Sequence, residues 1–223
     1  MLEKIKRYLD YFHRDVEKEV KKFADSLPEG TLLLDAGAGE GKYRDFFKHC
    51  KVIGLDKCVG DSSWDYSSLD VVGDIHCLPF ADNSFDAVIS IVVFEHLKNP
   101  FKAMKELSRV LKKGGKIFIV FPFLWEIHQR PYDFFRFTEY GFKELVFESG
   151  LKVIELKQLG CFFRVLHYMI ASLIKECRNN FYALFVTFML LPYIIIFLFV
   201  SDIIDRITGI CNYTPGYSII LQK

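Results

Sequence analysis

Leu32-Leu33-Leu34-Asp35-Ala36-Gly37-Ala38-Gly39-Glu40-Gly41 is an aliphatic run that ends on an acid and then places glycine at every second position. A short apolar run bounded by turn residues reads as a buried strand, here residues 31–35. Residues 41–49 suit a helix, so the glycines lie between a strand end and a helix start, where open α/β sheets bind ligands. Glycine there lets backbone approach a ligand closely. The spacing is G-x-G-x-G, not the G-x-G-x-x-G of dinucleotide folds, which argues against a nucleotide-binding dehydrogenase. Asp35 would repel a pyrophosphate and favour a cationic, amine-bearing ligand.

Downstream, strands and helices alternate. Residues 52–55, 70–72, 87–92, 116–121 and 151–158 read as strands, and 101–111 and 138–148 as helices, the last with Thr138 as N-cap. Gly114-Gly115 is read as the stop of the first of these helices. Such alternation implies a mostly parallel, Rossmann-like sheet covered by helices on both faces. The stretch between Asp56 and Asp70 is too short and polar for a crossover helix and reads as a loop. Asp56 and Asp74 end the second and third strands, as Asp35 ends the first. An acid at Asp56 can accept from ribose hydroxyls, and Asp74 can accept an adenine amino proton while Ile75 covers the ring. One such acid alone would be read as a turn cap; three at successive strand ends point to a ligand.

The stretches 33–41, 54–56, 73–80, 82–90, Phe94-Glu95-His96-Leu97 and 109–116 resemble, in order and spacing, the class I methyltransferases of the type 11 group over residues 30–160. The resemblance implies S-adenosylmethionine as cofactor. It implies Asp35, Gly37, Ala38 and Gly39 around the methionine part, Asp56 on the ribose, and Asp74 with Ile75 at the adenine. It also implies a seven-stranded sheet whose last strand, residues 217–222, runs antiparallel between the fifth and sixth.

Methyl transfer from a sulfonium is an in-line displacement that needs alignment and water exclusion, and for a hydroxyl acceptor a base. His96 after the fourth strand and His128 after the fifth are the base candidates; support of the loop or the methionine pocket is the other reading of Glu95-His96. The loop His128-Gln129-Arg130-Pro131-Tyr132-Asp133-Phe134-Phe135-Arg136 offers Arg130, Tyr132 and Arg136 to an acceptor. An internal Asp133–Arg136 pair bracing the loop is the alternative for Arg136.

A net charge of +1 gives no electrostatic case for nucleic acid, which is therefore not expected as a partner. None of the six cysteines forms a C-x-x-C pair or a zinc pattern, so no metal is expected and the thiols read as reduced, in a cytoplasmic protein. Residues 1–29 read as an amphipathic lid helix, with Ile5, Leu9, Phe12, Val16, Val20 and Phe23 on one stripe. Residues 30–159 with 213–223 form the catalytic domain.

Residues 160–212 form a hydrophobic insert, uncharged from Asn179 to Ser201, with Pro192 suited to a kink or turn. The insert is expected to dip into or lie on the inner face of a membrane, or to pack on a second copy as a homodimer. The expected reaction is O-methylation of a membrane-proximal, lipid or glycan acceptor. C- or N-methylation of a quinone or other small molecule, and a non-catalytic cofactor-binding scaffold, are the alternatives.

Overall fold

The computed structural model describes residues 10–177 and 181–223. Its strands are β1 (Leu32–Ala36), β2 (Lys51–Asp56), β3 (Val71–Val72), β4 (Phe85–Ile91), β5 (Leu111–Pro122), β6 (Lys152–Gln158) and β7 (Gly216–Gln222). Its helices are α1 (Tyr11–Asp25), α2 (Pro100–Val110), α3 (Glu139–Glu148), α4 (Phe162–Cys177) and α5 (Phe181–Thr208). The seven strands lie in the order β3-β2-β1-β4-β5-β7-β6. Pairs β1–β2, β1–β4, β2–β3 and β4–β5 are parallel. At the start of β5, the N–H of Gly114 donates to Lys223, just past the end of β7. Near the end of β5, Phe121 stacks on Tyr217 at the start of β7. Those pairings make β7 antiparallel to β5, as the resemblance implied.

Side chains alternate along β5, and each face receives its own cover. Phe118 stacks on Phe23 of α1 with ring centroids 5.2 Å apart. Ile117, Ile119 and Phe121 belong instead to the cluster formed by Met104 and Leu107 of α2, Phe142 and Leu145 of α3, and Tyr217, Ile219 and Leu221 of β7. Phe121 is fully buried, 3.9 Å from the Phe142 ring and 5.3 Å from that of Tyr217. Phe121→Ala is expected to cost about 3–5 kcal/mol. Urea unfolding should show it as a lower midpoint at unchanged slope; a cost under about 1 kcal/mol would mean that the aromatic stack closes over the gap.

Local expectations fare unevenly. Thr138 caps α3 by accepting from the N–H of Gly141 at 3.1 Å. No helix crosses between β2 and β3 among the described residues. Residues 41–49 form no α-helix: successive i→i+3 bonds close a 3₁₀ turn, Arg44–Phe47, anchored by the single buried Phe47. One apolar anchor does not make the stripe that an α-helix buries. Gly114 and Gly115 lie inside β5 rather than ending α2, where the β4–β5 register shifts. A Cβ on Gly115 would stand 2.8 Å from the carbonyl oxygen of Asp86.

The described residues divide into two compact units, Val16–Lys157 with Tyr217–Lys223, and residues 10–15 with those described between Gln158 and Gly216. In the second, Arg164 pairs with Asp15, Asp202 and Asp205. Asp205 also accepts the N–H groups of Cys161 and Phe163 at the start of α4, at 2.8 Å each. His167 Nδ1 lies 2.9 Å from the hydroxyl of Ser201, and both side chains are buried.

Two expectations about this segment need correction. Cys161 and Cys211 are joined by a disulfide, so the cysteines are not all thiols; fifty residues apart in sequence, they meet only because α4 and α5 double back. Pro192 neither turns nor ends α5, which runs on through Thr208. Among the described residues no helix is long and apolar enough to cross a membrane, and the C-terminal part of α5 carries Asp202, Asp205 and Arg206. Ile5 and Leu9 of the first stripe lie outside the described residues; Phe12, Val16, Val20 and Phe23 are buried.

Candidate active site

From β1 the chain turns to β2 on one side, while β4 lies on the other, so a crevice opens at the carboxyl end of β1. Asp35 stands there between Gly54 and Ile89. The N–H groups of Gly37 and Ala38 donate to the carbonyl of Leu55 at 2.8 and 3.0 Å and pin the turn. Gly37 has φ +87°, and a Cβ on it would lie 2.6 Å from Val93 Cγ2. The carboxylate of Asp56 accepts from the N–H of Gly39 at 2.9 Å and from that of Cys58 at 2.7 Å. A carboxylate has about four acceptor positions, so Asp56 shapes the loop and keeps capacity for hydroxyls. Burial pushes the carboxyl of Asp35 up to about 7, the nearby Asp56 adds to the rise, and Arg44 opposes it.

Asp74 is partly engaged by the protein itself, with three of its about four acceptor positions taken. It accepts from Lys57 at 2.7 Å and from the backbone of His76 at 2.9 Å, and the His76 ring lies 2.6 Å away. Burial works against its ionisation, but Lys57 and His76 hold it well below the usual carboxylate range. It thereby braces the 3₁₀ turn that carries buried Ile75. These supports were not legible beforehand, because Lys57 and His76 come from two different loops.

The acceptor loop divides its arginines. Arg136 grips Asp133 at 2.5 and 2.8 Å and donates to the carbonyls of Trp125, Glu126 and Phe135. Its expected hold on an acceptor gives way to bracing the loop. Burial would raise the carboxyl of Asp133; Arg136 and the N–H of His128 lower it more. Arg130 is exposed and, with Ile127, His128 and Gln129, faces Val59, Gly60, Asp61 and Ser62 across a cleft of about 500 Å³. Tyr132, Phe134 and Phe135 expose more than a third of their surface, and Lys98 lies over the Phe134 ring at 5.9 Å.

The two histidines do not stand as separate bases. Both turn Nε2 toward Oε1 of fully buried Glu95, each at 3.6 Å. His96 Nδ1 lies 2.5 Å from the carbonyl oxygen of Tyr132, and His128 Nδ1 lies 3.1 Å from that of Glu126. The carbonyl of Glu95 accepts from Phe134 and Phe135 at 2.8 and 3.2 Å, tying the β5 loop to the Phe94–His96 turn. Burial disfavours the His128 imidazolium, yet Glu95, the Glu126 carbonyl and Asp133 outweigh it, so its pKa is raised.

A family model described as a methyltransferase domain matches residues 34–119. Residues 34–119 thus form a methyltransferase domain, on a fold similar to that of the class I S-adenosylmethionine-dependent methyltransferases. The glycine turn and acids of the β1 crevice fit S-adenosylmethionine, the cofactor of such domains. The chain is 37% identical over 120 residues to a tRNA (carboxymethyluridine(34)-5-O)-methyltransferase of Arabidopsis thaliana, covering 50% of this chain and 28% of that one. A protein of the same name from Schizosaccharomyces pombe is 34% identical over 116 residues, 50% of this chain and 49% of that one. The chain thus spans half or less of the length of these relatives. In fold it is similar to a phosphoethanolamine N-methyltransferase of Haemonchus contortus bound to S-adenosyl-L-methionine, with a TM-score of 0.58 at 18% identity over 93% of this chain and 52% of that one. The relatives named for tRNA overturn the expectation that nucleic acid is no partner and that the acceptor is a lipid or glycan. Net charge misled because it averages over the whole chain and does not register an exposed arginine among aromatics in one loop.

Proposed function

We propose that this methyltransferase domain transfers the methyl group of S-adenosylmethionine to an oxygen on a tRNA nucleoside, with a carboxylate as the accepting group. The observation that carries the reading is the acceptor cleft: Arg130 lines it, and Tyr132, Phe134 and Phe135 are exposed on the same loop. Unpaired bases stack on such rings, and a guanidinium pairs with a carboxylate. The relatives' names supply the chemical class. A carboxylic acid has an ordinary pKa of about 4 and is ionised at neutral pH, so the transfer needs no base. That agrees with His96 and His128 facing Glu95. The cofactor supplies an electrophilic methyl on a sulfonium. Asp35 faces its positive charge, Gly37, Ala38 and Gly39 let the backbone come close, Asp56 accepts from the ribose, and Ile75 covers the adenine.

The test is methyl transfer from labelled cofactor to tRNA bearing carboxymethyluridine, with lipid extract as the alternative acceptor. The expected product carries the label on tRNA and releases it in mild alkali, as an ester does. Arg130→Ala should lower kcat/KM by roughly 10–100-fold, a charged hydrogen bond's worth, with cofactor affinity unchanged. Label confined to lipid, or alkali-stable on tRNA, would sink the carboxylate reading.

Cofactor binding should also depend on pH. Asp35, with a carboxyl near 7 in the free protein, must lose its proton to meet a cation. Affinity therefore rises with pH and levels off above about 7, and falls by up to roughly tenfold per unit below it. Calorimetric titration at about pH 6 and about pH 8 reads this directly, with Asp35→Asn expected to bind weakly and without the slope. A flat profile in the wild-type protein would mean that Asp35 does not face the charge.

A further inference from the structure

We propose that Glu95, His96 and His128 form a binding site for one divalent transition-metal ion. Their ligand atoms all lie within 4.8 Å of one another. Neither oxygen of Glu95 receives a hydrogen bond, nor does Nε2 of either histidine, although all four atoms are buried. A buried carboxylate with no donor is costly, so the arrangement calls for a positive charge at its centre.

The hydrogen bonds on the far side of each ring indicate which charge. The carbonyls of Tyr132 and Glu126 can only accept, which favours a proton on each Nδ1 and a lone pair on each Nε2 toward Glu95; at His128, Asp133 Oδ2 3.5 Å from Nδ1 favours the same tautomer, against an Arg136 nitrogen at 3.4 Å. Three electron-pair donors then face one point. A proton shared with Glu95 would draw a nitrogen in to about 2.7–2.9 Å, whereas both stand at 3.6 Å. Atoms that share an ion at about 2.0–2.2 Å sit farther apart than hydrogen-bonded ones, and small side-chain shifts bring these three onto one. Fixing Nδ1–H on a backbone carbonyl is also how metal-ligating histidines are held. The ring centroids are 4.7 Å apart with planes at 82°, so the two Nε2 atoms converge without stacking.

Two imidazoles and one carboxylate suit zinc, cobalt, manganese or iron(II) better than magnesium or calcium, and leave coordination positions open. His128 also lines the acceptor cleft, so acceptor oxygens could fill those positions and be oriented by the ion. Sequence spacing hid the set, because positions 95 and 96 lie on one loop and 128 on the next.

The test uses the whole chain, stripped with chelator and titrated with Co²⁺, and reads calorimetric stoichiometry and the visible bands of the bound ion. The wild-type protein is expected to take up one Co²⁺ and to prefer it to Mg²⁺. Outer-shell changes alone cost about 10–100-fold in metal affinity, so Glu95→Gln and His128→Gln should each lose more than ~100-fold. Circular dichroism and cofactor binding show that each variant is folded, and either variant suffices if the other is not. No stoichiometric Co²⁺ uptake by a folded, cofactor-binding protein would overturn the site. Equal uptake by the variants would overturn it too, placing the ion elsewhere. The readout is the metal alone, so it stands or falls apart from the choice of acceptor.

Discussion

Arg164→Ala is expected to destabilise the protein by about 3–5 kcal/mol, the usual cost of removing one partner from a buried ion cluster. The guanidinium is 11% exposed and faces Asp15, Asp202 and Asp205, whose side chains are 19%, 16% and 5% exposed. Without it, three nearly buried carboxylates, one from α1 and two from α5, share one region. Arg206, 71% exposed, offers only a partial substitute through Asp202. Burial works against ionisation of Asp202, and Arg164 nonetheless holds its carboxyl below the usual range. A folded pKa below the unfolded one gives stability that is present above about pH 4 and lost as pH falls. The deficit of the variant should therefore be largest at neutral pH and shrink in acid. Chemical denaturation across that range checks both statements. A deficit below about 1 kcal/mol, flat with pH, would mean that water reaches the cluster.

Gly37→Val is expected to weaken S-adenosylmethionine binding by more than ~100-fold, a loss of about 2.7 kcal/mol. Two costs add. An L side chain in the left-handed region costs roughly 1–2 kcal/mol, and φ at Gly37 is +87°. The Cβ would also sit 2.6 and 2.8 Å from the two methyl carbons of Val93. Either the Val93 side chain or the turn must shift, and the turn is held by the two bonds to the carbonyl of Leu55. Gly37→Ala combined with Val93→Ala separates the two costs, because it removes the overlap and keeps the backbone strain. Titration with the cofactor should rank the double variant between wild type and Gly37→Ala. Wild-type affinity in Gly37→Ala itself would show that the loop shifts freely and that its shape is not what binds.

The central strands were legible because a strand buried on both faces writes itself as a continuous apolar run, as in residues 32–34 and 87–92. Asp35 and Asp56 were legible for the same reason, since each directly follows such a run; Asp74, after Gly73 and a two-residue strand, was legible from its place in the series. The antiparallel position of β7 came from resemblance, because pairing order is not carried by local pattern. What escaped was mostly contact between distant loops. Lys57, from the loop after β2, claims Asp74, whereas the Asp133–Arg136 pair, three residues apart, was one of the two readings the sequence offered. Glu95 read as a polar residue beside a histidine, yet the fold seals it at 0% exposure between two imidazoles. The Cys161–Cys211 bond depends on two helices doubling back. Neither loop contacts nor long-range pairing leaves a period in the sequence.

The slot between β5 and β6 has a bearing on how the protein is made. On the side toward β5, β6 has no neighbour but β7, and more than fifty residues separate β6 from it in the chain. During synthesis, β6 and one edge of β5 leave the ribosome long before the strand that joins them. Both must wait with unpaired backbone and half of an aromatic cluster uncovered. Pairings so far apart in sequence slow the final step, because loop closure precedes any reward. Newly made chains should therefore rely on chaperones that shield apolar surface until residues 216–222 dock.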